Sequence, residues 1–451
     1  MVLLLFDKSL PNIEKTPRSL HLHSHARAIM AVPPSGPGSS SSLEAPLIDA
    51  DDAQLELALQ KLESFLGFFG FCQYSPLSSA VSWIVFFVVG LAAPVLLIVY
   101  SFCTDCYKYQ IRRFELEILV SQAIVAAISL LCVSHNLRKY GVRKLLFVDH
   151  YDGYAVLYRQ LYIQKIYGFF RGLALWLSVC FLLKTAREIT CVVYLHHDSW
   201  WLSAAYLLVS LVTWSYSAVV FLSGTALFNL VGNLQVVRIE NYSNILERDL
   251  DVSVYIEEHM RLLHYLSKIS HRFRAFLLLE FLVVTGSQIS ALLQTTENQG
   301  IINFINTGDF AVLSILQLVG IVLCLSAAAK ISHRAQALGS VACKWHALVT
   351  CDSNDSSQSE ILIDNNLEAN GSSQTELESG DFVPFSVHNQ FASSTSSYHK
   401  RQSFVAYVQS NMGGFTVFGW IIDRMLINTI FFIELSLIFF VLGKTITITL
   451  R

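Results

Sequence analysis

The sequence predicts an all-α, polytopic membrane protein with seven transmembrane helices, a cytoplasmic N-terminus, and cytoplasmic helical extensions of spans four to seven. Three observations point there. Of 451 residues, 53% are hydrophobic and 14% charged, and the mean hydropathy is +0.49; a soluble chain of this length needs more charge to cover its surface. The apolar residues fall into runs of about twenty, the length at which a helix crosses a bilayer. The basic residues also alternate along the chain. Arg138, Lys139, Arg143, Lys144, Arg159, Lys165 and Arg171 lie between spans two and three, and Arg238, Arg248, Arg261, Lys268, Arg272 and Arg274 between spans four and five. No Lys or Arg lies between spans three and four or between five and six. Basic loops stay on the cytoplasmic side, so the N-terminus is expected inside and the C-terminus outside. Lys108, Arg112 and Arg113 in the first short loop are the exception.

The elements follow in order. Residues 1–52 are rich in Ser, Pro, Gly and His and read as a disordered cytoplasmic tail. The opening MVLLLF is too short for a signal-peptide core and runs directly into charge and proline, so no cleaved signal is expected. From Ala53, apolar residues recur at helical spacing, as in a helix lying on a membrane surface. The spans are read at 79–103, 114–134, 172–195, 202–230, 276–294, 310–329 and 425–443. The segment 235–274 reads as spans four and five prolonged beyond the membrane, with Ile256, Met260, Leu263, Leu266 and Phe273 near one face. Spans one to six with these extensions make one unit, 53–351. A Ser- and Asn-rich stretch, 352–397, reads as a disordered cytoplasmic linker, and 398–451 as a pre-helix leading into span seven.

Enzyme signals are weak. His21, His23 and His25 sit in the tail, where they read as a polar tract in preference to a metal site. Cys103 and Cys106 have redox spacing without a βαβ setting and read as a small loop. There is no phosphate loop, zinc-protease motif or nucleophile elbow, so neither catalysis, a cofactor, a metal nor a nucleic-acid partner is expected.

Ionisable residues inside spans carry more information. A charge at mid-bilayer costs about 3 kcal/mol and normally faces the bundle interior with a partner or a task. Span three carries Lys184, Arg187 and Glu188 on one helical face, with Lys184 and Glu188 spaced as an i,i+4 pair. With Trp214 and Tyr216 of span four, Gln288 of span five and Gln317 of span six, they form a candidate pocket for a small organic ligand. The alternative is an internal salt-bridge network that fixes helix packing. Glu434, alone near the middle of the last span, poses a similar choice. It either pairs with Lys184 or Arg187, or faces an aqueous path where copies from several subunits make an acidic ring. Asn428 and Ser436 lie at compatible positions, and Ile438 and Phe440 are candidates for a hydrophobic gate. Helix packing is the alternative for all of these pore-lining candidates.

The layout resembles the insect chemoreceptor superfamily, and the stretch GGFTVFGWIIDRMLINTIFF, with its Gly–Phe turn, Asp423–Arg424 and Leu–x–x–Thr–Ile run, is similar to the approach to the last helix in gustatory receptors. The chain looks most like the plant gustatory-receptor-like family, a plant domain of unknown function. The architectural likeness covers about residues 55–450 and the motif only the last forty. Insect gustatory receptors end this helix with a Thr–Tyr pair, five apolar residues and Gln–Phe; here Glu434 or Ser436 takes the Thr place, and neither register supplies the Tyr or the Gln. The resemblance implies a homotetramer with four last helices around a central pore, a ligand pocket in the outer half of each subunit, and ligand-gated cation conduction. The leading expectation is such a channel, in the plasma membrane or an endomembrane such as the vacuole. The alternative is a non-channel receptor or scaffold of the same fold, with Glu434 a buried structural acid; a secondary transporter ranks third.

Overall fold

The computed structural model describes residues 45–101, 107–147, 155–194, 200–246, 251–297, 304–368 and 387–449. Most of the N-terminal tail, including its three His residues, the Cys103–Cys106 pair and the middle of the expected linker lie outside them.

Seven of its helices are long and apolar enough to cross a membrane. The first element, α1 (Ala45–Phe68), turns its apolar stripe onto the bundle. Its stripe Leu55, Leu59, Leu62 and Leu66 is buried against the fifth helix of the chain, with Phe65 edge-on to Phe169 and Phe170. Glu56 also pairs with Arg143. Burial of a leucine stripe against protein offers directional packing that lipid does not, so the same apolar spacing serves a tertiary contact.

A tight turn follows, with Gly70 at φ 81°. There the Ser82 hydroxyl donates to the Gly70 carbonyl at 2.8 Å, and a Cβ on residue 70 would come 2.3 Å from that hydroxyl. Gly70→Ala is expected to lower stability by about 1–2 kcal/mol from the left-handed backbone alone, read as a fall in melting temperature. An unchanged melt would show that the turn relaxes freely.

Span one is α2 (Pro76–Val85), a π-helical turn (Phe86–Ala92) and α3 (Ala93–Ser101). Pro94 has no N–H for the Gly90 carbonyl, and the widened turn just before it is where Ala93 N–H reaches back five residues to Val88. The remaining spans are α4 (Tyr107–Leu146), kinked at Gly141, then α5 (Ala155–Tyr194), α6 (Trp200–Ile245), α7 (Val252–Glu297) and α8 (Phe304–Glu368). After them come α9 (Val387–Ser410), a two-stranded hairpin of β1 (Thr416–Val417) and β2 (Trp420–Ile421), and the last span, α10 (Arg424–Thr449).

The helix α8 is central. Its apolar window is 78% buried, against 17% for the first span, and it packs on α4, α5, α6, α7, α9 and α10. It also runs on to Glu368 through the first part of the expected linker. No Gly or Pro interrupts 340–370, so nothing local breaks the helix.

The basic residues gather at one end of the bundle. There Arg272 donates to the Lys144 carbonyl, Asn136 to the Arg272 carbonyl, and Arg334 pairs with Glu240. Below the spans, Tyr255 packs against Trp345 and Phe404 at 5.3 and 5.8 Å between ring centres, and His259 packs between Tyr242 and Tyr407. The buried face of this part of α7 is Tyr255, His259, Leu262, Leu266, Ile269 and Phe273, while Met260 is exposed. The face expected from aliphatic residues alone is rotated because the rings of Tyr255 and His259 bring more area to the core.

GGFTVFGW is a hairpin and not helix. Thr416 pairs with Ile421 and Val417 with Trp420, and Phe418 and Gly419, both at positive φ, form the two-residue connection that matches strand twist. Ser332 and Ser270 cap the amides of Phe415 and Thr416, which anchors the hairpin between α7, α8 and α10.

Candidate functional site

Five charged residues of the spans converge at the end of the bundle opposite the basic one. Lys184, Arg187 and Glu188 share a face of α5, since residues three and four apart adjoin on a helix. They meet Glu115 of α4 and Asp309 at the start of α8. Lys184 Nζ lies 2.5 Å from Asp309 Oδ1 and 2.7 Å from Glu188 Oε1. Arg187 reaches Asp309 Oδ2 at 2.8 Å, Glu188 Oε1 at 3.0 Å and Glu115 Oε1 at 3.3 Å. Ser210 of α6 donates to Glu188 Oε1 at 3.2 Å. The cluster is buried, so its charges are held by ion pairs and hydrogen bonds more than by hydration.

A cavity of about 70 Å³ opens beside this cluster. Its walls include Trp214, Tyr206 and Thr213 from α6 and Gly90 and Pro94 from the widened first span. The π-helical turn therefore shapes one wall, a recurrent use of such turns. Gln122, also in the cavity wall, donates through Nε2 to the Trp214 carbonyl at 3.3 Å, which ties α4 to α6.

The pocket expected as one is two. Lys184, Arg187, Glu188 and Trp214 line the charged cavity. Tyr216 does not; its ring faces Phe86 of the first span at 6.5 Å, because it sits two residues on from Trp214 and so points another way around α6. Gln317 lines a second cavity of about 260 Å³ between α4, α7 and α8. It donates to Ser121 at 3.1 Å and accepts from Ser287 at 3.2 Å. Gln288 is buried behind it and donates to Ser314 at 3.2 Å and to Gln317 at 3.3 Å. The side chains of Ile118 and Leu313 stand in the walls of both cavities. Asp309 was not among the sequence candidates, since it falls one residue before the sixth apolar run. The signal available was an acid at a span end on the same side as Lys184 and Arg187, which lack enough acids on their own helix.

The last helix also divides. Glu434 and Ile438 are buried, with Ile427 and Val441, against the rest of the chain. Glu434 Oε1 accepts from Thr285 of α7 at 2.6 Å, so its partner is neither Lys184 nor Arg187. The reason is position: α10 packs on α7 and α8, whereas those cations lie on α5 and are already held by Asp309 and Glu188. Asn428, Ser436 and Phe440 are exposed. With Met425, Thr429, Phe432, Phe439 and Gly443 they occupy the uncovered side, and Met425–Phe432–Phe439 and Thr429–Ser436–Gly443 repeat every seven residues. An acidic ring built from Glu434 is not what that side presents.

Comparison with known proteins adds three findings. No curated protein matches the chain by sequence. The structure is similar to that of the insect olfactory receptor OR5 from Machilis hrabei, solved in complex with eugenol. The likeness has a TM-score of 0.52 at 9% identity and covers 87% of this chain and 99% of the receptor; at that identity it speaks for the fold alone, an insect-chemoreceptor-like arrangement of seven membrane helices. A family model described as protein of unknown function (DUF3537) matches residues 57–433, and the chain belongs to that family.

Proposed function

We propose that the protein is a ligand-gated, cation-permeable channel of the gustatory-receptor-like branch of the chemoreceptor fold. It assembles as a homotetramer around α10, with its N-terminus and basic end in the cytoplasm. The observation that carries this reading is the uncovered side of α10. Asn428, Thr429 and Ser436 are exposed there, and polar side chains at these depths are costly against lipid tails. A seven-residue repeat suits contact with copies of the same helix, and the polar positions suit water. The charged cavity, in the half of the bundle away from the basic end, is the ligand site. Binding there is transmitted through α8, which carries Asp309 at one end and supports α10 and the hairpin at the other.

Two measurements test this. Particle imaging of the purified chain in nanodiscs is expected to show a closed fourfold assembly with α10 at its axis. In bilayer recordings, Asn428→Asp is expected to raise cation over anion permeability severalfold by adding a ring of acids, while Glu434→Gln leaves selectivity unchanged because Glu434 faces α7. A clean monomer would remove the shared pore and leave the non-channel receptor reading, which the inward-facing Glu434 also fits.

A further inference from the structure

Among the described residues, the formal charges in the cavity wall do not balance. Asp309, Glu188 and Glu115 bring three carboxylates to Lys184 and Arg187, two cations, and the five are linked by ion pairs. The hydrogen bonds are as uneven. Glu188 Oε1 takes the contacts of Lys184, Arg187 and Ser210, whereas Oε2 of the same carboxylate, buried in a residue only 1% exposed, accepts none. A buried carboxylate oxygen without a donor is costly. Glu188 stands in the cavity wall, beside Trp214. Among the described residues, the cavity thus offers an unused acceptor in Glu188 Oε2, a formal excess of one negative charge and an aromatic residue in about 70 Å³. At 10–15 Å³ for each water-sized position, that is room for about five non-hydrogen atoms.

On the reading of this cavity as the ligand site, we propose that its ligand is a small primary alkylammonium ion. The N–H donors of an ammonium group satisfy Glu188 Oε2, its charge neutralises the cluster, and its short alkyl chain lies along the apolar walls, with a cation-binding aromatic residue at hand in Trp214. A neutral alcohol of the same size meets the acceptor but leaves the charge.

The test uses the full chain in nanodiscs at neutral pH and compares n-butylammonium with 1-butanol, equal in non-hydrogen atoms, by calorimetric titration. The ammonium ion is expected to bind about tenfold tighter or more, the margin that a full opposite charge adds over a neutral donor to the same carboxylate. Glu188→Gln is expected to erase that preference and leave the alcohol where it was. Equal or tighter binding of 1-butanol to the unaltered chain overturns the ligand class while keeping the cavity as a site. Binding of neither overturns both readings. Saturation of the site by potassium or sodium alone, with no ammonium preference, assigns the missing charge to a simple ion and also overturns the proposal. The comparison on the unaltered chain decides the question even if Glu188→Gln does not fold.

Discussion

Lys184→Met is expected to destabilise the protein by about 3–5 kcal/mol, the cost of removing one partner from a buried charge pair. Lys184 is the shared partner of Asp309 at 2.5 Å and Glu188 at 2.7 Å, and it joins α5 to α8. Without it, Arg187 is the one cation left to the three carboxylates among the described residues of the cluster, and burial limits how far solvent can take up the excess. The effect should appear as a large fall in melting temperature in nanodiscs and a reduced yield of monodisperse protein. The double change Lys184→Met with Asp309→Leu restores the original imbalance of one negative charge, so most of the loss is expected to return. If Lys184→Met melts with the unaltered chain, the cluster contributes little to holding α5 against α8. If the double variant is worse than the single one, Asp309 has a second role in the fold.

Gly224→Val is the second change with a large expected effect. Helices α4 and α6 touch at this residue: a Cβ there would lie 2.0 Å from Ser129 Oγ and 3.1 Å from Ser129 Cβ. Ser129 Oγ donates to the Val220 carbonyl at 3.0 Å, and a valine would both push the helices apart and break that bond. Overpacking and a stranded buried hydroxyl together cost on the order of 3 kcal/mol. Close approach through small residues is how membrane helices gain packing energy without a hydrophobic drive, so the loss should be read as dissociable packing and heightened proteolysis of the α4–α6 pair. Ser129→Ala in the Gly224→Ala background removes the nearest obstacle and is expected to recover part of it. A wild-type melt for Gly224→Val would place the α4–α6 contact elsewhere.

Several features of the site were legible in the residues and others were not. Lys184, Arg187 and Glu188 were readable as a group because helical spacing alone puts them on one face, and charge inside a span demands an explanation. Trp214 followed from its place in the same half of the neighbouring span. Tyr216 shows the limit of such reasoning, since depth along a helix does not say which way a side chain points. Gln317 lies at a suitable depth but turns toward Ser121 of α4 and lines a second cavity behind Ile118 and Leu313, with Gln288 buried behind it against α8. Asp309 escaped because the span was bounded by hydropathy, and its acid belongs to the cluster only through the fold.

What the sequence determined by itself is what neighbouring residues decide among themselves: seven apolar segments of membrane length, the clustering of basic residues at one end, and the shared face of Lys184, Arg187 and Glu188. Length, hydropathy and helical period are local, and each is strong here. Only the tertiary structure decided how each span is rotated. A helix apolar on every side carries no amphipathic signal to fix its facing, so the choice falls to packing against several neighbours at once. That is why Glu434 turns inward to Thr285 while Asn428 and Ser436 stay uncovered, and why the charges of three helices close into one cluster with Glu188 Oε2 left without a donor.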